Sequence, residues 1–116
     1  MELPIELYRQ IFKTAWLGIA VSDEQGAIVA ANDYMLRVGN FTENEIIGRM
    51  ASDLYVGGAL ARREMIDMVK RQGGVEDQIV EFKKKDGSTF QAKMSLRQVI
   101  ADGRRYMVAT FRDLSS

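Results

Sequence analysis

The chain has 116 residues, of which 47% are hydrophobic, and its 16 basic and 16 acidic side chains give a formal net charge of zero. This length suffices for one domain with one core, and the balanced charge argues against attraction of the whole molecule to nucleic acid or to an anionic membrane. Cysteine and histidine are absent, which excludes disulfides, thiolate chemistry, Cys/His metal sites and the most common general base.

The sequence has no pattern typical of a membrane or secreted protein. Its longest apolar run, residues 15–21, is much shorter than the roughly 20 residues that cross a bilayer. The amino terminus lacks the charged and apolar regions of a secretory signal. We therefore expect a soluble cytoplasmic domain without direct membrane contact.

An amphipathic helix is predicted within residues 1–14. Its apolar residues recur at helical spacing in two stripes, Ile5, Tyr8 and Phe12 on one side and Leu3, Leu7 and Ile11 on the other. A helix with two apolar stripes has two surfaces to cover, so one stripe can pack on its own domain while the other meets a partner. The alternative is one wide face buried on the same domain.

A hairpin is predicted next, with one strand around Ile19 and Val21, a second around Ile28 and a turn at Gly26, which can take a positive φ. Three helices follow it. Asn32 or Asp33 caps the first, which ends at Gly39. Thr42 and Glu45 form a capping box for the second, which ends at Gly48, and the third covers 59–72.

Two Asp-Gly turns determine the register of a three-stranded meander in the last third of the chain. A three-residue loop ending at Gly87 sets Phe82 opposite Phe90, and a two-residue loop at 102–103 sets Met94 opposite Phe111. Gly87 and Gly103 must then have positive φ. The inner face carries Val80, Phe82, Phe90, Ala92, Met94, Leu96, Ala109 and Phe111. The element order predicts an α+β fold of five antiparallel strands with helices covering one face.

Four segments, in this order, resemble the PAS domain, a sensory module of bacterial signalling proteins. They are the hairpin "GIAVSDEQGAIVAAN", then "VGNFTENEIIG", then the turn "FKKKDGSTF" and the closing "FRDLS". The resemblance covers about residues 5–115 and implies a PAS-like sheet with strand order 2-1-5-4-3. It divides the chain into an N-terminal dimerisation helix, 1–14, and a sensor domain, 15–116.

The resemblance implies a core pocket that holds a small ligand in some PAS domains and nothing in others. Flavin photoreceptors of the family have a reactive Cys where this chain reads "ASDLYVGGALARR", and haem is usually held by His. No cofactor is therefore predicted, while non-covalent flavin or a small metabolite stays open. The expected pocket lining is Met50, Leu54, Met65, Val69, Val80, Met94 and Phe111. Because Gln78 and Gln72 are the only polar inward candidates, a mainly apolar ligand is favoured.

Catalysis, metal binding and nucleic-acid binding are weaker hypotheses. Asp53 and Asp67 have no visible catalytic partner, and Asp67 falls on the polar side of its helix. The basic runs 83–85 and 104–105 belong to turns at opposite ends of a sheet, so they cannot form one phosphate-binding groove. We predict that the chain is not an enzyme and binds no metal and no nucleic acid.

The predicted function is signal sensing and relay within a larger bacterial regulator, either a histidine kinase or a cyclic-nucleotide signalling protein. The alternative is a ligand-free PAS domain that serves only dimerisation. Asp113 and Ser115 resemble the Asp-x-Thr ending at which PAS domains hand over to a following helix, so the effector domain of the same chain is an expected partner. PAS helices like the first one pair between protomers, which implies a parallel homodimer through Leu3, Leu7 and Ile11.

Overall fold

Four α-helices, one 3-10 helix and five strands follow one another in the computed structural model, which describes residues 2–115. In chain order they are α1 (Ile5–Thr14), β1 (Gly18–Ser22), β2 (Ile28–Ala31), α2 (Asp33–Gly39), α3 (Glu43–Ile46), the 3-10 helix (Ala51–Leu54), α4 (Gly58–Gln72), β3 (Val75–Lys83), β4 (Thr89–Ala101) and β5 (Arg104–Asp113). The predicted helices and strands are all present, and the 3-10 helix was not predicted.

The five strands form one sheet in the order β2-β1-β5-β4-β3, and all neighbouring strands are antiparallel. The predicted α+β class and strand order are therefore confirmed. β1 lies beside β5, with Gly18 opposite Phe111. A β-carbon at position 18 would lie 2.2 Å from Cε1 of Phe111, so only glycine leaves space for this ring to cover β1.

Both predicted hairpin registers are confirmed. Phe82 pairs with Phe90 and Met94 pairs with Phe111. Both turn glycines are left-handed, with φ of 89° at Gly87 and 74° at Gly103. One irregularity was not predicted: β3 shifts register between Val75 and Gln78, where Asp77 has a φ of 54° and its N–H donates to Ser95 Oγ at 3.2 Å. This bulge bends the edge strand at its beginning.

Asn32 joins the first hairpin to α2. It is the N-cap of α2, and its Oδ1 accepts hydrogen bonds from the backbone N–H groups of Met35 at 3.2 Å and Ile19 at 3.0 Å. Its Nδ2 donates to the carbonyl oxygen of Leu17 at 2.9 Å. The side chain is 1% exposed, so one buried amide caps a helix and also holds the beginning of β1. At the other end of α2, the left-handed residue is Asn40 rather than Gly39.

The core lies between the inner face of the sheet and the helices. Seven of the eight predicted inner-face residues are buried, and Ala109 is partly buried and packs against them. The aromatic side chains form a cluster, with ring centroids 5.0 Å apart for Tyr55 and Phe82 and 5.6 Å apart for Phe82 and Phe111. The edge-to-face geometry of these pairs adds to the energy of burial.

The helix α1 has no buried residue and touches the domain at α2. Its apolar residues Ile5, Leu7, Tyr8 and Ile11 are all exposed, and Phe12 is partly exposed. The expectation that the stripe with Ile5 and Tyr8 packs on the domain is therefore wrong for these two residues. The alternative, that α1 buries one wide face on the domain, is wrong as well. Because α1 follows Pro4 and is joined to β1 by only three residues, it reaches little of the core.

The predicted capping box at α3 is confirmed. Thr42 Oγ1 accepts from the N–H of Glu45 at 3.3 Å, and Glu45 Oε1 accepts from the N–H of Thr42 at 2.9 Å. The same carboxylate forms a salt bridge with Lys85 in the β3–β4 turn. These contacts lower the pKa of Glu45 from 4.5 to about 2, with the Lys85 hydrogen bond as the largest cause and the Thr42 N–H next.

This salt bridge gives a pH dependence with a definite sign. Because the folded pKa of Glu45 is below its unfolded value, the carboxylate stabilises the fold above about pH 4.5 and loses that effect as pH falls toward 2. In thermal melts, Glu45→Gln should therefore lower the melting temperature at pH 6 and make a smaller difference at pH 2.5. Glu43→Gln, at an exposed position of the same helix, is the control. An equal Glu45→Gln effect at both pH values would contradict the prediction.

Candidate functional site

A cavity of about 50 Å³ lies between the inner face of the sheet and the helices. Its sheet side includes Ala20, Phe82, Phe90, Leu96, Ala109 and Phe111, and its helical side includes Met35, Leu54, Tyr55 and Arg62. Since one water needs at least about 10–15 Å³, the cavity has space for roughly three to five non-hydrogen atoms. A ligand of that size could enter without rearrangement of the core.

Small residues on β1 leave this space open. Gly18, Ala20 and Ser22 lie opposite Phe111, Ala109 and Met107 of β5. Directly paired residues share a face of the sheet, so Gly18 and the small side chains of Ala20 and Ser22 lie on the inner face. The inner surface of β1 therefore has less side-chain volume than the inner surfaces of β3 and β4.

Three polar side chains interrupt the apolar wall. Arg62 extends from α4 across to β1, where its Nη2 donates to Ser22 Oγ at 2.8 Å. The Tyr55 hydroxyl donates to Met94 Sδ at 3.4 Å. Burial raises the pKa of Tyr55 to about 12, although the nearby Arg62 charge acts in the opposite direction. The phenol therefore stays a hydrogen-bond donor at neutral pH.

Only some of the predicted pocket residues line the cavity. Leu54 and Phe111 line the cavity. Val69, Val80 and Met94 are buried, Met65 is partly buried against the core, and Met50 is 40% exposed in a bridge with Ala27. These five residues contribute to the core or the surface and lie outside the cavity wall.

Of the two polar inward candidates predicted from the sequence, Gln72 is exposed and that prediction was wrong. Gln78 pairs with Met94 and therefore lies on the inner face, but it is not part of the cavity wall, and its amide donates to the carbonyl of Glu76. The polar wall consists instead of Ser22, Tyr55 and Arg62. The alternation of β1 could have indicated Ser22, because it lies two residues after Ala20 on the same face.

Asp113 and Ser115 lie together just beyond the last strand. Asp113 Oδ1 accepts hydrogen bonds from the Ser115 N–H at 2.9 Å and from its hydroxyl at 2.5 Å. The N–H of Asp113 donates to the Tyr34 hydroxyl at 3.0 Å, which ties the end of β5 to α2. The carboxylate thus terminates the strand in a local turn.

Asp53 and Asp67 are both exposed. Within residues 2–115, no group of three or more acidic side chains is placed to hold a metal ion. No helix in that same range is long and apolar enough to cross a membrane.

A family model described as "PAS domain" matches residues 17–116. The chain belongs to the PAS domain family. PAS domains are generally sensory modules, which agrees with a sheet and helices that enclose a small cavity. The resemblance seen in the four sequence segments is confirmed.

Solved PAS domains share this fold. The PAS domain of a Colwellia psychrerythraea protein has a TM-score of 0.84 at 20% identity, and the match covers 95% of this chain and 96% of that one. A PAS domain from a two-component sensor histidine kinase has a TM-score of 0.81 at 17% identity, covering 93% and 94%. The PAS domain of a LuxR-family transcriptional regulator from Burkholderia thailandensis, in complex with ethanol, has a TM-score of 0.78 at 23% identity, covering 94% and 98%.

A curated relative indicates how such a domain occurs within a longer chain. An uncharacterised protein of Azorhizobium caulinodans is 28% identical over 113 residues. The match covers 92% of this chain and spans about 15% of the length of that relative.

Proposed function

We propose that this PAS domain senses a small molecule in its core cavity and relays the signal to an effector domain of a larger bacterial regulator. A histidine kinase or a cyclic-nucleotide signalling protein is the proposed context. The cavity of about 50 Å³, with hydrogen-bond donors in an otherwise apolar wall, is the observation that carries the proposal. PAS domains of similar fold occur in a sensor histidine kinase and in a LuxR-family regulator whose PAS domain was solved with ethanol.

The volume of the cavity supports a ligand much smaller than haem or flavin. A space for roughly three to five non-hydrogen atoms cannot take a macrocycle or a three-ring system unless the packed core opens. We therefore propose that the domain works without either cofactor. Its proposed role is binding and relay rather than catalysis.

Occupation of the cavity should raise the melting temperature, because a ligand that binds only the folded state stabilises it by mass action. We expect this effect from at least one member of a panel of two- to four-carbon alcohols, acids and amides. Ala109→Leu should abolish it, since three added carbons on the cavity wall fill most of the volume. Ala59→Leu, at an exposed position of α4, is the matched control and should respond like the unmodified protein. If no compound raises the melting temperature, the ligand-free alternative is favoured.

Dimerisation through α1 is the second part of the proposal. Leu7 and Ile11 of α1 are 42% and 53% exposed. Leu3 is 42% exposed but precedes Pro4 and lies outside α1, so the prediction that all three lie on one helix was wrong for Leu3. Large apolar side chains exposed in one such stripe indicate a contact surface. A second copy of α1 would cover this stripe in a parallel homodimer. The ends of the two β5 strands, at Asp113 and Ser115, would then lead to the two effector domains side by side.

Sedimentation should show a dimer that depends on this stripe. Leu7→Glu combined with Ile11→Glu should give a monomer with an unchanged circular dichroism spectrum, because two charges would have to be buried at the contact. Lys13→Glu changes the net charge by the same amount at an exposed polar position of α1 and should remain dimeric. An unmodified protein that is monomeric at high concentration would refute the proposal.

A further inference from the structure

Arg62 is a partly buried cation without a carboxylate partner among residues 2–115. The salt bridges in that range join Arg9 to Glu6 and Lys85 to Glu45. The hydrogen bond from Arg62 to a protein acceptor goes to the neutral hydroxyl of Ser22. A guanidinium has five N–H donors, so one hydroxyl leaves most of them to water or to a ligand.

The two acidic residues that share a groove with Arg62 are engaged elsewhere. Arg62 also borders an open groove on the outside of the domain, to which Asp23 and Glu24 contribute. Asp23 Oδ1 accepts from the N–H groups of Gln25 and Ala27 at 2.9 Å and 3.0 Å, and Glu24 Oε1 accepts from the N–H of Arg105 at 3.1 Å. These bonds hold both carboxylates within their own turn or against β5, and neither lies within 4.0 Å of the guanidinium.

The cavity wall is electrostatically one-sided. Arg62 is the charged side chain that reaches across it, whereas Lys83 is exposed and alternates with the inward Phe82, so its side chain faces away; no Asp or Glu belongs to the wall. Its third donor, the Tyr55 hydroxyl, is engaged by a thioether sulfur, which is a weak acceptor that a stronger one would replace. Such a wall favours a ligand that carries acceptors and negative charge over one that carries donors.

The rest of the wall limits the size and polarity of that ligand. Apart from Ser22, Tyr55, Arg62 and the outward-facing Lys83, the lining residues are apolar or glycine. A carboxylate group takes three of the roughly three to five non-hydrogen atoms that fit, which leaves space for a tail of at most about two carbons. A dicarboxylate would place a second charged end among apolar side chains, and a phosphate would add negative charge beyond that of one carboxylate, and both are costly.

We infer that the cavity binds a short-chain monocarboxylate of two or three carbons, with its carboxylate paired to Arg62 and its tail against the aromatic cluster. This inference rests on the proposed function and names the chemical class of its ligand. The carboxylate supplies Arg62 with the charged acceptor that residues 2–115 do not provide. Ser22 and Tyr55 orient the head group, and Arg62 acts as the residue that determines specificity.

Paired ligands of equal shape test the inference on the unmodified protein. Propionate, propionamide and 1-propanol are titrated at constant ionic strength, and affinities are read from amide chemical shifts and melting temperatures. Because a charge-assisted hydrogen bond contributes more than a neutral one, propionate should bind roughly 10- to 100-fold more tightly than propionamide. Sodium chloride at equal concentration controls for a general salt effect.

Two neighbouring arginines provide the matched variants. Arg62→Gln should remove the preference for propionate and leave the affinity for 1-propanol within about threefold. Arg63→Gln, at an exposed position of the next residue, should retain the preference. Arg62→Lys should restore part of it, since a lysine keeps the charge but loses the planar pair of donors.

The results distinguish failure of this inference from failure of the proposed function. Equal or weaker binding of propionate than of propionamide would overturn the carboxylate assignment and leave sensing of a neutral ligand intact. Failure of all three compounds to bind would overturn both. If Arg62→Gln does not fold, the comparison of propionate with propionamide on the unmodified protein still tests whether the cavity prefers a carboxylate.

Discussion

Phe111→Ala is expected to lower the free energy of unfolding by about 3–5 kcal/mol, the usual cost of deleting a buried aromatic ring. Phe111 is 4% exposed, and its ring lies 5.6 Å from that of Phe82 and 5.9 Å from that of Tyr34. It also covers β1 at Gly18, a position without a side chain to fill the vacated space. The void would merge with the existing cavity, so collapse of the neighbours would recover little of the lost packing.

Urea unfolding monitored by circular dichroism measures this effect. Trp16→Ala is the control, because Trp16 is also a large aromatic side chain but is 87% exposed, and it should change stability by less than about 0.5 kcal/mol. The enlarged cavity of the Phe111→Ala protein should also accept a small aromatic compound that does not stabilise the unmodified protein. A loss below 1 kcal/mol would show that Phe111 does not hold the sheet to the helices.

Asn32→Ala is expected to lower the free energy of unfolding by about 2–4 kcal/mol. Loss of the N-cap of α2 costs about 0.5–2 kcal/mol. The backbone groups of Ile19 and Leu17 would also lose their hydrogen bonds to the Asn32 side chain, and an unsatisfied buried group costs about 1–3 kcal/mol. Asn32→Asp keeps the acceptor but loses the donor to Leu17, so we expect an intermediate loss at neutral pH.

The control for this second prediction is Asn44→Ala. Asn44 is exposed in α3, and within residues 2–115 its side chain forms no hydrogen bond. Hydrogen exchange adds a local measurement: in a destabilised Asn32→Ala protein, the amide of Ile19 should lose more protection than amides in β4. Equal stabilities of the Asn32→Ala and Asn44→Ala proteins would contradict a role for Asn32 in joining the hairpin to α2.

The sheet could be predicted from the sequence because its determinants are local. Gly87 and Gly103 require particular turns, and each turn determines which residues pair along the two strands that it connects. Thr42 and Glu45 likewise define the start of α3 through two reciprocal hydrogen bonds only three residues apart. Strand order across the helices came from the family resemblance, since no local pattern specifies which distant strands pair.

The cavity could not be predicted to the same extent. Helical periodicity places the Cα of Arg62 on the polar side of α4, but its long side chain bends back and reaches Ser22 on β1. Periodicity locates backbone positions and not the ends of long side chains. The void itself arises from small inward residues of β1 opposite β5, a pairing between segments about 90 positions apart. The exposure of Ile5 and Tyr8 on α1 was also missed, because a pattern of apolar stripes does not say how far the connection to β1 lets a helix reach.

The pairing of Gly18 with Phe111 has an architectural consequence for any protein that contains this domain. Adjacent strands are separated by about 4.8 Å, so the beginning of β1 and the end of β5 lie almost at one point of the surface. A domain with such neighbouring ends can be inserted into a host chain much as a side loop is, without pushing the flanking segments apart. The same geometry would let one domain of this kind replace another during evolution while the distance between the host's own segments stays constant.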